Sequence, residues 1–253
     1  MKTLSLCFAL TLGLAVSSAW ADPPARGFTV DFSSCTEFAG VGPVDFAKAS
    51  ALVPAVFQTL PVGATGGIVM RATSCQGVAV NGGRPAPTNI SQIGVEIISP
   101  DGTGTINNYT LIYASNNIAL VEAFHGAGVP AVWDPTLTYQ FTYDATGKSG
   151  ELYVKAEGLG LPAYFFTGTE SDPTGPGSDF KANWWFAGDG SVVKQATDFP
   201  SIAFGNASVS AHTDRNSALG KLIGGNSDSD FHFLPIRGVY ATAHMQVTVT
   251  GGR

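Results

Sequence analysis

Apolar and polar positions alternate with a period of two through much of the chain. Phe28 to Phe32 (FTVDF) and Thr136 to Tyr143 (TLTYQFTY) alternate cleanly, as half-buried strands do. Gly67 to Thr73 (GIVMRAT), Gln92 to Ser99, Asn108 to Ala114 (NYTLIYA) and Glu151 to Glu157 read as further strands. So do Ala163 to Thr169 (AYFFTGT), Ala182 to Ala187 (ANWWFA), Ile202 to Ser210 and Gly238 to Thr250. Asp101-Gly102 and Asp144 to Gly147 carry turn chemistry between neighbouring strands. Three segments read as short helices instead. Pro43 to Leu52 places Phe46, Ala49 and Leu52 on one stripe, with Pro43 suited to the first turn and Pro54 past the end. Asn116 or Asn117 caps a second helix that runs to about His125 and stops at Gly126. Ser217 to Ile223 is the third. The pattern predicts a mainly β (α+β) protein with about ten or more strands and two or three short helices.

Composition adds a compartment. Lys2, the apolar run Leu4 to Val16 and the Ala19-Trp20-Ala21 step form the three parts of a secretory signal peptide. The apolar run is too short for a membrane anchor, and polar Asp22 with Pro23-Pro24 follows at once. Residues 1–21 are thus expected to be removed, which leaves 22–253 as one exported domain, periplasmic or extracellular. Cys7 leaves with the leader, so Cys35 and Cys75 remain and are expected to form a disulfide. The formal net charge is −6, and one unit more negative without Lys2. That balance excludes nucleic acid and anionic membrane surfaces as partners. It leaves a small-molecule ligand as the expected partner, with the oligomeric state open.

The candidate chemistry is sparse. Glu122 and His125 stand three apart on the second helix and share a face, so a carboxylate and an imidazole could work as base and acid. The plainer reading is a solvated pair at a helix C-terminal end. Strand parity places Arg71, Glu96 and Tyr113 beside that pair, although a slip of one residue reverses each. Tyr113, Trp133, Phe165 and Trp184 belong to an aromatic set that could line a pocket, or simply pack the core. His212 and Asp214 have a two-ligand spacing, with His232 or His244 as a conceivable third, but no HExxH or CxxC accompanies them. No metal or cofactor is expected. There is no G-x-S-x-G, and Gly102-Thr103-Gly104 lacks the lysine of a phosphate loop.

The order of elements from Asp45 to Leu161 resembles the acetoacetate decarboxylase fold family. The resemblance rests on the helix-ending Leu52-Val53-Pro54 step, the strand pair, the short helix and a turn containing proline. Pro135-Thr136-Leu137 and Gly150-Glu151-Leu152 continue it. It implies a single-domain antiparallel sheet closed into a cone or barrel around a pocket. In the family the turn reads like G-R-E-x-x-x-x-P-K-K, and one lysine after the proline forms a Schiff base. Here Pro130 is followed by Ala131 and Val132, Phe124 falls at the arginine and His125 at the glutamate. The resemblance therefore implies a pocket without imine chemistry. Two readings follow. One is a lyase- or isomerase-like enzyme acting by acid–base or electrostatic catalysis on a carbonyl-containing or aromatic compound. The other is a secreted pocket protein that binds an apolar or aromatic ligand without chemistry. Convergence of titratable groups in the pocket separates them.

Overall fold

Several strands run far longer than their sequence patterns predict, and the extra length explains the architecture. The computed structural model describes residues 27–224 and 231–251; the expected signal peptide lies outside them. In chain order the elements are β1 (Phe28–Asp45), α1 (Phe46–Leu52), β2 (Pro61–Val62), β3 (Thr65–Val80), β4 (Ala86–Glu96) and β5 (Ile106–Ser115). There follow α2 (Ile118–Gly126), β6 (Val132–Trp133), β7 (Thr138–Tyr143), β8 (Ser149–Ala156), β9 (Tyr164–Ser171) and β10 (Ser178–Gly188). The last are β11 (Ser191–Thr213), α3 (Ala218–Leu222), β12 (Phe231–His232) and β13 (Leu234–Gly251). No helix among the described residues is long and apolar enough to cross a membrane.

β1 shows why alternation understates strand length. Phe28, Val30 and Phe32 point into the core at even positions. Ser34 then takes a positive φ of 51°, and the inward parity passes to Cys35 and Glu37. A bulge of this kind lets one strand bend and continue while its pattern changes phase. β3 and β5 behave alike, with register shifts at Cys75/Val78 against β4 and at Ile93/Gly94 between β4 and β5.

Seven strands close on themselves in the order β10-β5-β4-β3-β1-β13-β11, and β11 returns to pair with β10. All neighbours in this ring are antiparallel except β5 with β10. The second half of β11 bends away and carries an outer sheet, β11-β9-β8-β7. Each face of the ring therefore buries something. Inward residues such as Phe28, Val30, Tyr240 and Met245 fill the barrel, with Leu120, Val121 and Phe124 of α2 plugging one end. Outward residues such as Phe38, Ile68, Met70 and Ile93 pack against Leu152, Val154 and Phe166 of the outer sheet. The burial of both faces accounts for the nearly continuous apolar run of β3.

Cys35 and Cys75 are direct cross-strand partners on β1 and β3, with Cα atoms 4.1 Å apart, and they are bridged. The bond closes a span of 40 residues, which the chain-entropy relation values at about 4 kcal/mol. A Cys35→Ser/Cys75→Ser variant is expected to melt roughly 10 °C lower than the oxidised parent. Thermal denaturation followed by far-ultraviolet circular dichroism checks this, and an unchanged melting temperature would contradict it.

Candidate active site

The inward positions of the barrel fall into layers. Above the α2 plug lie the disulfide, Tyr113 and Tyr240. Next comes a polar layer. Arg71 Nη2 donates to Glu37 Oε2 at 3.1 Å and to Thr73 Oγ1 at 2.9 Å, and Thr73 Oγ1 donates to Glu37 Oε2 at 2.9 Å. Beside this group, Gln92 Nε2 donates to Thr110 Oγ1 at 3.2 Å and to Gln195 Oε1 at 3.3 Å. Such groups are tolerated inside a protein because they satisfy one another.

The Arg71–Glu37 pair is buried. Burial opposes the Arg71 cation, but the adjacent Glu37 carboxylate, then Tyr240 and Tyr113, outweigh it, and its pKa moves up. Burial, and after it the charge of Glu37, raises the Tyr240 hydroxyl well above the ordinary tyrosine value, so it stays a neutral donor toward Glu37.

Beyond the polar layer the barrel is not filled. A cavity of about 260 Å³ opens there, with Arg71, Glu37, Glu96, Asn108 and Trp184 on its wall. The rest of its lining is largely apolar and includes Val69, Ile106, Phe180 and Phe199. Leu234, 80% exposed, and Phe204 stand at its rim. Glycines on the inward face give the larger side chains their room. A Cβ at Gly94 would collide with the Trp184 ring, one at Gly67 with the Glu96 carboxyl, and one at Gly238 would crowd Glu37. Burial pushes the Glu96 pKa above the usual glutamate range. A carboxyl with a raised pKa on the wall of a cavity is a candidate for proton transfer.

The residues singled out in the sequence are dispersed. Arg71, Glu96 and Trp184 line the cavity. Tyr113 faces inward one layer deeper, its ring centroid 4.3 Å from that of Phe124. Glu122 and His125 do not face a cavity. The apolar stripe Leu120, Val121, Phe124 turns α2 toward the barrel and leaves both of them exposed. His125 has a local role, donating from Nε2 to the Ala131 carbonyl at 2.5 Å and tying the turn after the helix. Trp133, 49% exposed, lies on the short β6 strand. Phe165 lies on the outer sheet, stacked on His212 at 4.6 Å. His244 is also outside the barrel, paired with Asp31 at 2.7 Å.

Sequence reasoning missed Glu37, Asn108, Gln92 and Gln195. Their signal is weak, because a polar residue at an alternate strand position reads the same whether that face is wet or sealed.

A second charged cluster lies outside the barrel, under the outer sheet. Arg237 Nη1 meets Glu170 Oε2 at 2.5 Å, Arg237 Nε meets Asp172 Oδ1 at 3.2 Å, and the guanidinium lies over Phe141. It joins β13 to β9, and none of its three charged residues lines the cavity.

The closed barrel with its outer sheet is the fold of acetoacetate decarboxylase. The match to a solved acetoacetate decarboxylase has a TM-score of 0.56 at 8% identity, over 88% of this chain and 89% of the other. MppR, an enduracididine biosynthesis enzyme solved with pyruvate, aligns with a TM-score of 0.54 at 11% identity, over 98% and 96%. An acetoacetate decarboxylase-like enzyme from Sphingomonas wittichii RW1 aligns with a TM-score of 0.53 at 11% identity, over 95% and 96%. No family profile and no curated protein sequence matches the chain.

Two expectations follow from the charged groups. Glu37→Ala leaves Arg71 buried without its anion and should cost about 3–5 kcal/mol, whereas Glu37→Leu with Arg71→Met should recover most of that loss. Urea denaturation of the three proteins checks it. For Glu170, burial is the main cause that lifts the carboxyl to about 7, with Arg237 pulling the other way. The folded state thus holds a proton that the unfolded chain releases at lower pH, so stability drains away as pH rises from about 4.5 to about 7. The stability of Glu170→Gln relative to the parent should therefore improve across that window. A difference that is flat with pH would contradict this.

Proposed function

We propose that the protein is an exported enzyme that acts on a small carbonyl-containing or aromatic compound inside the barrel, by acid–base and electrostatic means and without an imine. The observation that carries this reading is the Arg71–Glu37 pair and Glu96 on the wall of a largely apolar cavity that includes no lysine among the described residues. The leader sequence and the Cys35–Cys75 bridge support export, and the enzymes that share the fold support a small-molecule substrate.

In this scheme Glu96 takes a proton from the carbon next to the substrate carbonyl. The C–H electron pair moves into the carbonyl, and the resulting oxyanion is met by buried N–H donors of the cavity wall, those of Asn108, Trp184 and Arg71 Nε. Return of the proton to another carbon completes an isomerisation, and loss of a β-substituent completes an elimination. Imine chemistry needs an unprotonated amine in the pocket. Lys48, Lys148, Lys181 and Lys221 are exposed, and the half-buried Lys155 and Lys194 are paired with Glu157 and Asp101. The apolar majority of the wall also suits the second reading, a binding protein without chemistry.

The test is proton exchange and turnover of a panel of ketones, esters and aromatic carbonyl compounds, followed by nuclear magnetic resonance. Glu96→Gln is expected to lower the rate by about 10²–10⁴-fold while ligand binding persists. Binding without turnover of any compound would leave only the second reading. Borohydride treatment in the presence of acetoacetate or pyruvate is expected to leave the intact mass unchanged. A reduced adduct on a single lysine would overturn the imine-free scheme.

A further inference from the structure

Glu96, Asn108 and Trp184 are direct cross-strand neighbours on β4, β5 and β10, and all three line the cavity. Asn108 is 0% exposed and Trp184 is 1% exposed. Neither amide atom of Asn108 has a hydrogen-bond partner in the protein, and the same holds for Trp184 Nε1 and Arg71 Nε. One layer deeper, Gln92, Thr110 and Gln195 are bonded to one another. Four of the eight buried side-chain atoms left without a protein partner among the described residues thus belong to residues of the cavity wall. Each buried donor left unpaired costs on the order of 1–3 kcal/mol, a cost that a polar group entering the cavity would relieve.

The chemistry of that ligand follows from the donors. Three of the four unpaired atoms, Asn108 Nδ2, Trp184 Nε1 and Arg71 Nε, are N–H donors and one, Asn108 Oδ1, is an acceptor, so the ligand brings first of all an acceptor oxygen. Charge then selects the kind of oxygen. Arg71 is the only cation on the cavity wall among the described residues, and Glu37 already holds its charge at 3.1 Å. A carboxylate would enter beside Glu37 and Glu96 with no free cation to meet it, which is a costly arrangement in a poorly solvated site. A carbonyl brings the same acceptor geometry with no net charge. The remaining lining, Val69, Ile106, Phe180 and Phe199, suits an apolar body.

We propose that the cavity takes a neutral carbonyl compound with an apolar body, of the ketone, ester or lactone class, with its oxygen held by Asn108 and Trp184, and that it rejects keto acids and other carboxylates. The inference rests on the barrel cavity being the functional site and deepens that reading by naming the class of molecule it accepts.

Three probes of similar shape separate the contributions: acetophenone has a neutral acceptor, benzoate a charged one and ethylbenzene none. Isothermal titration of the full exported protein is expected to show acetophenone binding roughly tenfold tighter than ethylbenzene, as one added hydrogen bond implies. Benzoate should bind at least as weakly as ethylbenzene. Asn108→Leu should abolish the advantage of acetophenone and leave ethylbenzene unchanged or tighter. Trp184→Phe, which deletes the indole N–H, should reduce the same advantage, and it serves if Asn108→Leu fails to fold. Benzoate binding more tightly than acetophenone would overturn the proposal, as would equal affinity for acetophenone and ethylbenzene. Failure of all three to bind would overturn it and remove the cavity reading as well. Selective binding of acetophenone by a protein that turns over no carbonyl compound would support this inference and sink the enzymatic one.

Discussion

The structure depends on the closure made by β10. This strand pairs in parallel with β5 on one side and antiparallel with β11 on the other, and so turns an open sheet into a ring without edges. Its outward side chains lock the seam. Asn183 Nδ2 donates to the Thr103 carbonyl at 2.9 Å, and Trp185 Nε1 donates to Asn107 Oδ1 at 2.9 Å. Lys194 reaches Asp101 Oδ2 at 2.6 Å and lies over the Trp185 ring. Because side chains alternate along the strand, the intervening residues Ala182 and Trp184 must face the cavity. One strand thus fixes both the closure and a third of the unsatisfied row.

Closure creates an interior that side chains must fill or leave empty. One end is filled by a helix, and the middle by polar groups that satisfy each other. A buried ion pair is rarely the most stabilising choice for such a layer, since well-packed apolar residues often do as well. The Arg71–Glu37 pair lies directly under a cavity, where the proposed reading gives it a ligand to meet. The Glu170–Arg237 pair makes the contrast. It sits between barrel and outer sheet, adds Asp172 and the Phe141 ring, and lines no part of the cavity wall.

Much of the fold was legible from local pattern. The β-rich character, the three helices, the Cys35–Cys75 bridge and the cone-like closure implied by the family resemblance all match the structure. Strand lengths were less legible, because bulges such as that at Ser34 change the inward parity and break the alternation that marks a strand. The site was legible only in part. Arg71 and Glu96 are charges inside otherwise apolar strands, and such residues attract notice wherever they occur. Asn108 and Gln195 are ordinary polar residues in strands whose inward face cannot be assigned without the ring. The Glu122–His125 pair misled in the opposite direction. Spacing on a helix shows that two groups share a face, but only packing decides which face is buried.

The segment after α2 is where the chain departs from the family that its sequence resembles. In the family that the sequence resembles, reactive lysines follow the proline of this turn. Here Ala127, Val129 and Ala131 belong to the apolar plug of the barrel, and Val132 begins β6 against β5. An amine at Ala131 would be buried among apolar side chains, with no carboxylate described beside it. Here the turn is packing, and the charged groups of the cavity wall, Glu37, Arg71 and Glu96, lie on β1, β3 and β4. An identity of about a tenth to the solved enzymes is compatible with this, because closure needs only inward and outward patterning, bulges and glycines under large side chains. Those requirements leave the wall of the cavity free to change, and with it the class of molecule that the barrel can hold.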